Sequence, residues 1–101
     1  MKLNVLPSAH ADLDHGRRFY ARQGKSVGQY FLDTLFSDID SLEIHAGIHA
    51  QVYGHHRLLS KRFPYAIYYR VEGDTCTVFR VLDCRQSPRS MTKALEGTQG
   101  R

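Results

Sequence analysis

The chain has 101 residues, enough for one domain of ordinary size and too few for a second. Its 42% hydrophobic and 24% charged content is that of a folded globular protein and excludes an intrinsically disordered one. The net charge of +4 is lopsided. Residues 1–50 carry five Lys and Arg against six Asp and Glu, and residues 51–101 carry nine against four, which leaves an anionic partner open for the second half.

Lys2 to Leu6 alternates Leu3 and Val5 with Lys2 and Asn4, the pattern of a short strand with one face inward, and Pro7 ends it. Ser8 offers an N-cap for a helix over Ala9–Arg22, with Leu13 and Tyr20 at helical spacing, and Gly24 breaks the run. Ser26 and Gln29 match a capping box that opens a second helix. From there Val27, Phe31, Leu35, Ile39 and Leu42 recur every three to four residues while Asp33, Asp40 and Glu43 fall on the opposite side. His45-Ala46-Gly47 terminates it, and Ile48–Gly54 reads as a loop.

The remainder reads as a meander of three strands: His56–Lys61, Tyr65–Glu72 and Thr75–Cys84, the last two joined by a Gly73-Asp74 hairpin. Alternation puts Tyr65, Ile67, Tyr69 and Val71 on one face of the middle strand and Ala66, Tyr68, Arg70 and Glu72 on the other. In the last strand it sets Cys76, Val78, Arg80, Leu82 and Cys84 against Thr77, Phe79, Val81 and Asp83. Both of those faces are largely apolar, so this strand is expected to lie inside the sheet. Ser87-Pro88 is an N-cap followed by proline at the first helical position, starting a short helix through Met91 and Leu95.

The expected architecture is α+β, a two-helix hairpin packed on a twisted antiparallel sheet in the order β-α-α-β-β-β-α. Residues 1–96 form one domain, and 97–101 a flexible tail.

No run approaches the ~20 apolar residues of a membrane helix, and Met1–Leu6 has no signal-peptide pattern, so a cytoplasmic location without membrane contact is expected. Cys76 and Cys84, on one strand, would stand roughly 26 Å apart and cannot bridge. Both read as small, buried or half-buried residues. His45 and His49 straddle the end of a helix, and the adjacent His55 and His56 of a strand point to opposite faces, so neither pair reads as a metal site. No nucleophile elbow, phosphate loop or cofactor motif is present; Gly24 and Gly28 fit a helix end and close helix packing. What is concentrated is cationic and aromatic: Arg57, Lys61, Arg62, Arg70, Arg80, Arg85, Arg89 and Lys93, interleaved with Tyr65, Tyr68 and Tyr69. Guanidinium groups pair with phosphate and aromatic rings stack on bases, although tyrosines in such strands more often fill a core.

The stretch from Arg57 to Asp74 holds a cationic strand, the turn Phe63-Pro64-Tyr65, the run Ala66-Ile67-Tyr68-Tyr69 and the Gly73-Asp74 hairpin. It is followed by a hydrophobic strand and Arg85-Gln86-Ser87-Pro88, and preceded by a helix ending in Phe19-Tyr20. This succession resembles toxins of the ParE/RelE superfamily of type II toxin-antitoxin systems, and within it the ParE-like branch. The resemblance implies a cognate antitoxin that wraps the toxin, with contact residues the sequence does not reveal, and DNA contact only through that antitoxin. It implies one of two activities: cleavage of messenger RNA on the ribosome, as in RelE-like members, or inhibition of DNA gyrase by protein contact, as in ParE-like members.

For the ribonuclease, Arg57, Lys61 and Arg85 would hold phosphate. Leu59 and Ala66 stand where further cations are expected, however, and Met91 where a tyrosine is common, so the proton carrier such a reaction requires is missing. The reading therefore favours the non-enzymatic mode, with Arg85, Arg89 and Lys93 contacting the target.

Overall fold

The computed structural model describes residues 1–98. It runs β1 (Lys2–Val5), α1 (Pro7–Ala21), α2 (Lys25–Asp40), α3 (Leu42–His45), β2 (Gln51–Val52), β3 (His55–Leu59), β4 (Tyr65–Glu72), β5 (Thr75–Asp83) and α4 (Pro88–Glu96). The strands form one sheet in the order β1-β5-β4-β3-β2. An α+β domain with a helix hairpin on a sheet is thus what the chain forms.

The pairings within β2-β3-β4-β5 are antiparallel, but β1 runs parallel to β5, with Leu3 beside Cys76 and Val5 beside Val78. The sheet is therefore mixed rather than purely antiparallel. Beside β5, the edge strand β1 packs Leu3 and Val5 against the core that β5 shares with the helix hairpin. The segment expected as a loop over Ile48–Gly54 contains the two-residue strand β2. It turns into β3 through Tyr53 at φ 55° and Gly54 at φ 77°, the positive dihedrals that a two-residue hairpin favours.

Two expected helix starts are built differently. Helix α1 begins at Pro7 with Leu6 as its N-cap, and Ser8 Oγ instead donates to the Phe79 carbonyl at 2.7 Å. Helix α2 begins at Lys25, because Gly24 at φ 146° turns the chain sharply and its carbonyl accepts from Val27 N–H at 3.0 Å. Ser26 then lies inside the helix and Gln29 Nε2 donates to Asp33 at 2.8 Å, so the capping box does not form.

The core divides in two. Between sheet and hairpin lie Leu13, Tyr20, Phe31, Leu35, Ile39, Leu42, Tyr65, Ile67, Tyr69, Cys76, Val78 and Val81. On the opposite sheet face, Met91 and Leu95 of α4 cover Ala66, Tyr68 and Leu82. The faces of β4 follow the expected alternation. Those of β5 do not, because Tyr68 pairs with Arg80 while Tyr69 pairs with Val78, leaving Phe79 as the extra residue of a β-bulge. Val81 consequently joins Cys76 and Val78 on the hairpin side. Cys76 is buried as expected, but Cys84 is exposed, contrary to the expectation that both would be buried or half-buried. Thr98, in the expected tail, bonds to the Ala94 carbonyl through Oγ1 at 2.8 Å, and residues 99–101 lie outside the described residues.

Candidate functional site

Helix α4 is positioned by its own first turn and by one arginine. Ser87 Oγ accepts from Ser90 N–H at 3.2 Å, with Pro88 at the first helical position, as the sequence predicts. From β5, Arg80 donates from Nη1 to the Ala94 carbonyl (3.1 Å) and Thr98 Oγ1 (3.3 Å), bracing the far end of the helix. The rest of its guanidinium is held by Asp12 of α1, with Nε at 2.7 Å and Nη2 at 2.8 Å. Asp12 also accepts from Val81 N–H at 2.9 Å, and its carboxylate raises Arg80 above the ordinary arginine range. Arg80 is therefore a structural cation, unavailable to a ligand. Arg89 and Lys93 are left exposed on α4.

Arg85 follows β5 and folds back on Asp83, with Nε at 2.9 Å from Oδ1 and Nη2 at 2.7 Å from Oδ2. Its guanidinium lies 5.9 Å from the centre of the exposed Phe19 ring of α1. The pairing pulls Asp83 below the usual carboxylate range and raises Arg85. Tyr65 lies next to them, and burial, with Asp83 adding to it, pushes its hydroxyl up to about 12.

Arg57 serves a different neighbourhood. It pairs across β3 and β4 with Tyr68, whose buried hydroxyl is raised by burial and only partly lowered by Arg57, and no hydrogen bond of good geometry reaches that oxygen. Cys84 is exposed as a residue, but its thiol is partly shielded and raised by that desolvation, with Arg57 opposing. Lys61 is exposed on the turn after β3, where with Arg62 it lines a cleft of about 320 Å³ against Tyr30, Asp33 and Asp38 of α2. Lys61 thus stands apart beside α2, while Arg57 and Arg85 share the neighbourhood of Cys84, with Arg85 held by Asp83.

Beside α4 the sheet stays open. Arg70 lies 5.3 Å over Phe79 and donates to the Gly54 carbonyl at 3.2 Å, next to His55, and a cleft of about 390 Å³ is bounded by Tyr53, His55, Arg70, Thr92, Leu95, Glu96 and Thr98. On the other side of the molecule a larger groove, about 780 Å³, runs along the helix hairpin between Arg17, Ala21 and Lys25 and the exposed Gln29, Tyr30 and Asp33.

Chemically, this is a surface of placed cations whose paired carboxylates, Asp12 and Asp83, are tied up as ion-pair partners of Arg80 and Arg85. The hydroxyls of Tyr65 and Tyr68 and the thiol of Cys84 are held protonated, and Met91 is buried against the sheet. Asp12 and Asp83, which decide what Arg80 and Arg85 can do, were not singled out by sequence reasoning. Asp83 stands two residues from Arg85 and was findable, but Asp12 is 68 residues from Arg80 and left no local signal. Among the described residues no group of three or more His, Cys, Asp or Glu is arranged to hold a metal ion, and no helix is long and apolar enough to cross a membrane.

Residues 3–88 match the family described as the ParE toxin of the type II toxin-antitoxin system, parDE. The chain belongs to the ParE toxin family. In fold it is similar to a chain of the "Chromosomal ParDE TA system from P. aeruginosa", with a TM-score of 0.73 at 24% identity, over 80% of this chain and 92% of that one. No curated protein sequence matches it. The ParE match covers β1 to the start of α4, so Arg85 lies within it, while Arg89 and Lys93 lie just beyond.

Proposed function

We propose that this ParE-family chain arrests growth in the cytoplasm by binding DNA gyrase stoichiometrically, through Arg85, Arg89 and Lys93, and that a cognate antitoxin neutralises it. The observation that carries this reading is the state of the face under α4. Met91 and Leu95 close it, Arg80 is spent on Asp12, Arg85 is paired with Asp83 yet 56% exposed, and Arg89 and Lys93 are exposed on α4. Such a surface suits a protein contact, in which exposed cations steer and orient, better than it suits phosphodiester chemistry. The ribonuclease alternative has less support, since Arg80 is spent on Asp12, the hydroxyls of Tyr65 and Tyr68 are held protonated, and Lys61 lies apart beside α2.

The antitoxin reading is supported by the groove along α1 and α2. Its Tyr30 is 47% exposed, and an amphipathic segment laid into it would cover that ring. The test is induction of the chain in cells alone and with its antitoxin, with message integrity followed alongside. Growth arrest with intact message, relieved by the antitoxin, is expected. Cleavage of ribosome-bound message would overturn the reading.

A further inference from the structure

Tyr69 is wholly buried in β4, yet its hydroxyl reaches past the core to the segment that joins α3 to β2. It accepts from Gly47 N–H at 2.9 Å and bonds to Nδ1 of His49. The His49 ring stands edge-on to the phenol, centroids 5.6 Å apart at 87°. His56, the neighbour of Tyr69 in β3, stacks on its other side at 5.1 Å and 21°, and its Nδ1–H donates to the His49 carbonyl at 2.6 Å.

The proton count at Tyr69 Oη has one complete solution. The oxygen accepts from Gly47, so its single O–H must go to His49 Nδ1, which can accept only as a neutral imidazole. An imidazolium carries a proton on Nδ1 and would donate to Oη instead. The phenolic hydrogen would then lose its partner inside the core, because among the described residues Gly47 and His49 are the only hydrogen-bond partners of that hydroxyl.

We propose that Tyr69, His49 and Gly47 form a proton-operated latch: neutral His49 fastens residues 47–49 to the Tyr69 hydroxyl, and protonation of His49 loosens that hold. The titratable groups that face His49 are His45 from α3, His56 from β3 and Tyr69 from β4, with Cys76 of β5 behind Tyr69. Burial first, then the charges of His56 and His45, depress the His49 pKa below the ordinary imidazole range, and no carboxylate among the described residues opposes them. The sign follows. A depressed imidazole keeps its full stabilisation above the ordinary histidine pKa and loses it as pH falls below, because the released segment binds the proton more readily. Release is confined to residues 47–49, since Ala46 N–H stays bonded to the Leu42 carbonyl at 3.1 Å, and the His49 and Ala50 carbonyls still accept from His56 Nδ1–H at 2.6 Å and Arg57 N–H at 3.0 Å. Ile48, 73% exposed, rides on the released segment at the edge of the sheet.

The test is amide exchange of Gly47 in the full chain by NMR, corrected for intrinsic exchange, as pH is lowered from about 7.5 to about 5. Protection is expected to fall as His49 titrates, by up to about tenfold per pH unit. The His49→Asn variant keeps an acceptor near the Nδ1 position that does not titrate, and its Gly47 should stay protected across the range. In Tyr69→Phe, Gly47 should exchange freely at every pH. Constant Gly47 protection through the His49 titration, or a wild-type pH profile in His49→Asn, would overturn the latch.

Discussion

Asp12 of α1 and Arg80 of β5, 68 residues apart, form a two-bond ion pair that is 14% and 22% exposed at its two side chains. The pair ties the helix hairpin to the strand that carries α4. Removing one partner would leave the other charge partly buried, at a cost of about 3 kcal/mol. Asp12→Ala should therefore lower the urea midpoint without changing the slope, and an unchanged midpoint would mean that the pair contributes nothing net.

The α1–α2 hairpin packs too closely for side chains at two positions. A Cβ on Gly28 would lie 2.8 Å from the Arg17 carbonyl oxygen, and one on Gly16 would lie 2.4 Å from the fully buried Phe31 ring. In an exposed helix Gly→Ala gains about 1 kcal/mol. Here the clash should win, and both variants should lose about 1–3 kcal/mol by chemical denaturation.

Asp38, near the C-terminal end of α2, is raised above the usual aspartate range by burial, against the opposing effects of Ser60 and Lys61. A carboxyl whose folded pKa is raised binds its proton more tightly in the folded state, so stability falls as pH rises from the unfolded to the folded pKa. Asp38→Asn should be more stable than the parent at about pH 7 and indistinguishable from it at about pH 3. The comparison needs only denaturation midpoints at the two pH values, and equal midpoints at both would show that the burial of Asp38 carries no penalty.

Antitoxin association should be steered by the basic half of the chain. The on-rate measured by stopped flow should fall by about tenfold from low to high salt, with a smaller change in off-rate. A salt-independent on-rate would remove the electrostatic part of the antitoxin reading.

Much of this architecture was legible in the sequence, for local reasons. Phe31, Leu35 and Ile39 show their helical period directly, the Gly73 turn takes φ 61° between β4 and β5, and Ser87-Pro88 starts α4. What was not legible depends on distant partners. The bulge at Phe79 shifts the faces of β5 and needs Ser8, 71 residues away, to satisfy its carbonyl. The parallel placement of β1 depends on a strand at the other end of the chain. The candidate site divides the same way: its cations could be named from sequence, but Asp12 commits Arg80 to the fold and Asp83 positions Arg85 at the surface.

Under the proposed function, the cations of the Arg85 segment and α4 engage gyrase. Arg89 and Lys93 are exposed and make no ion pair among the described residues, so charge reversal at both, Arg89→Glu with Lys93→Glu, should leave stability within about 0.5 kcal/mol. The deciding measurement is gyrase supercoiling with increasing amounts of purified chain. Inhibition should saturate near stoichiometric ratios and be lost in the folded double variant. Full supercoiling at any excess of a chain that still arrests growth would contradict the gyrase contact.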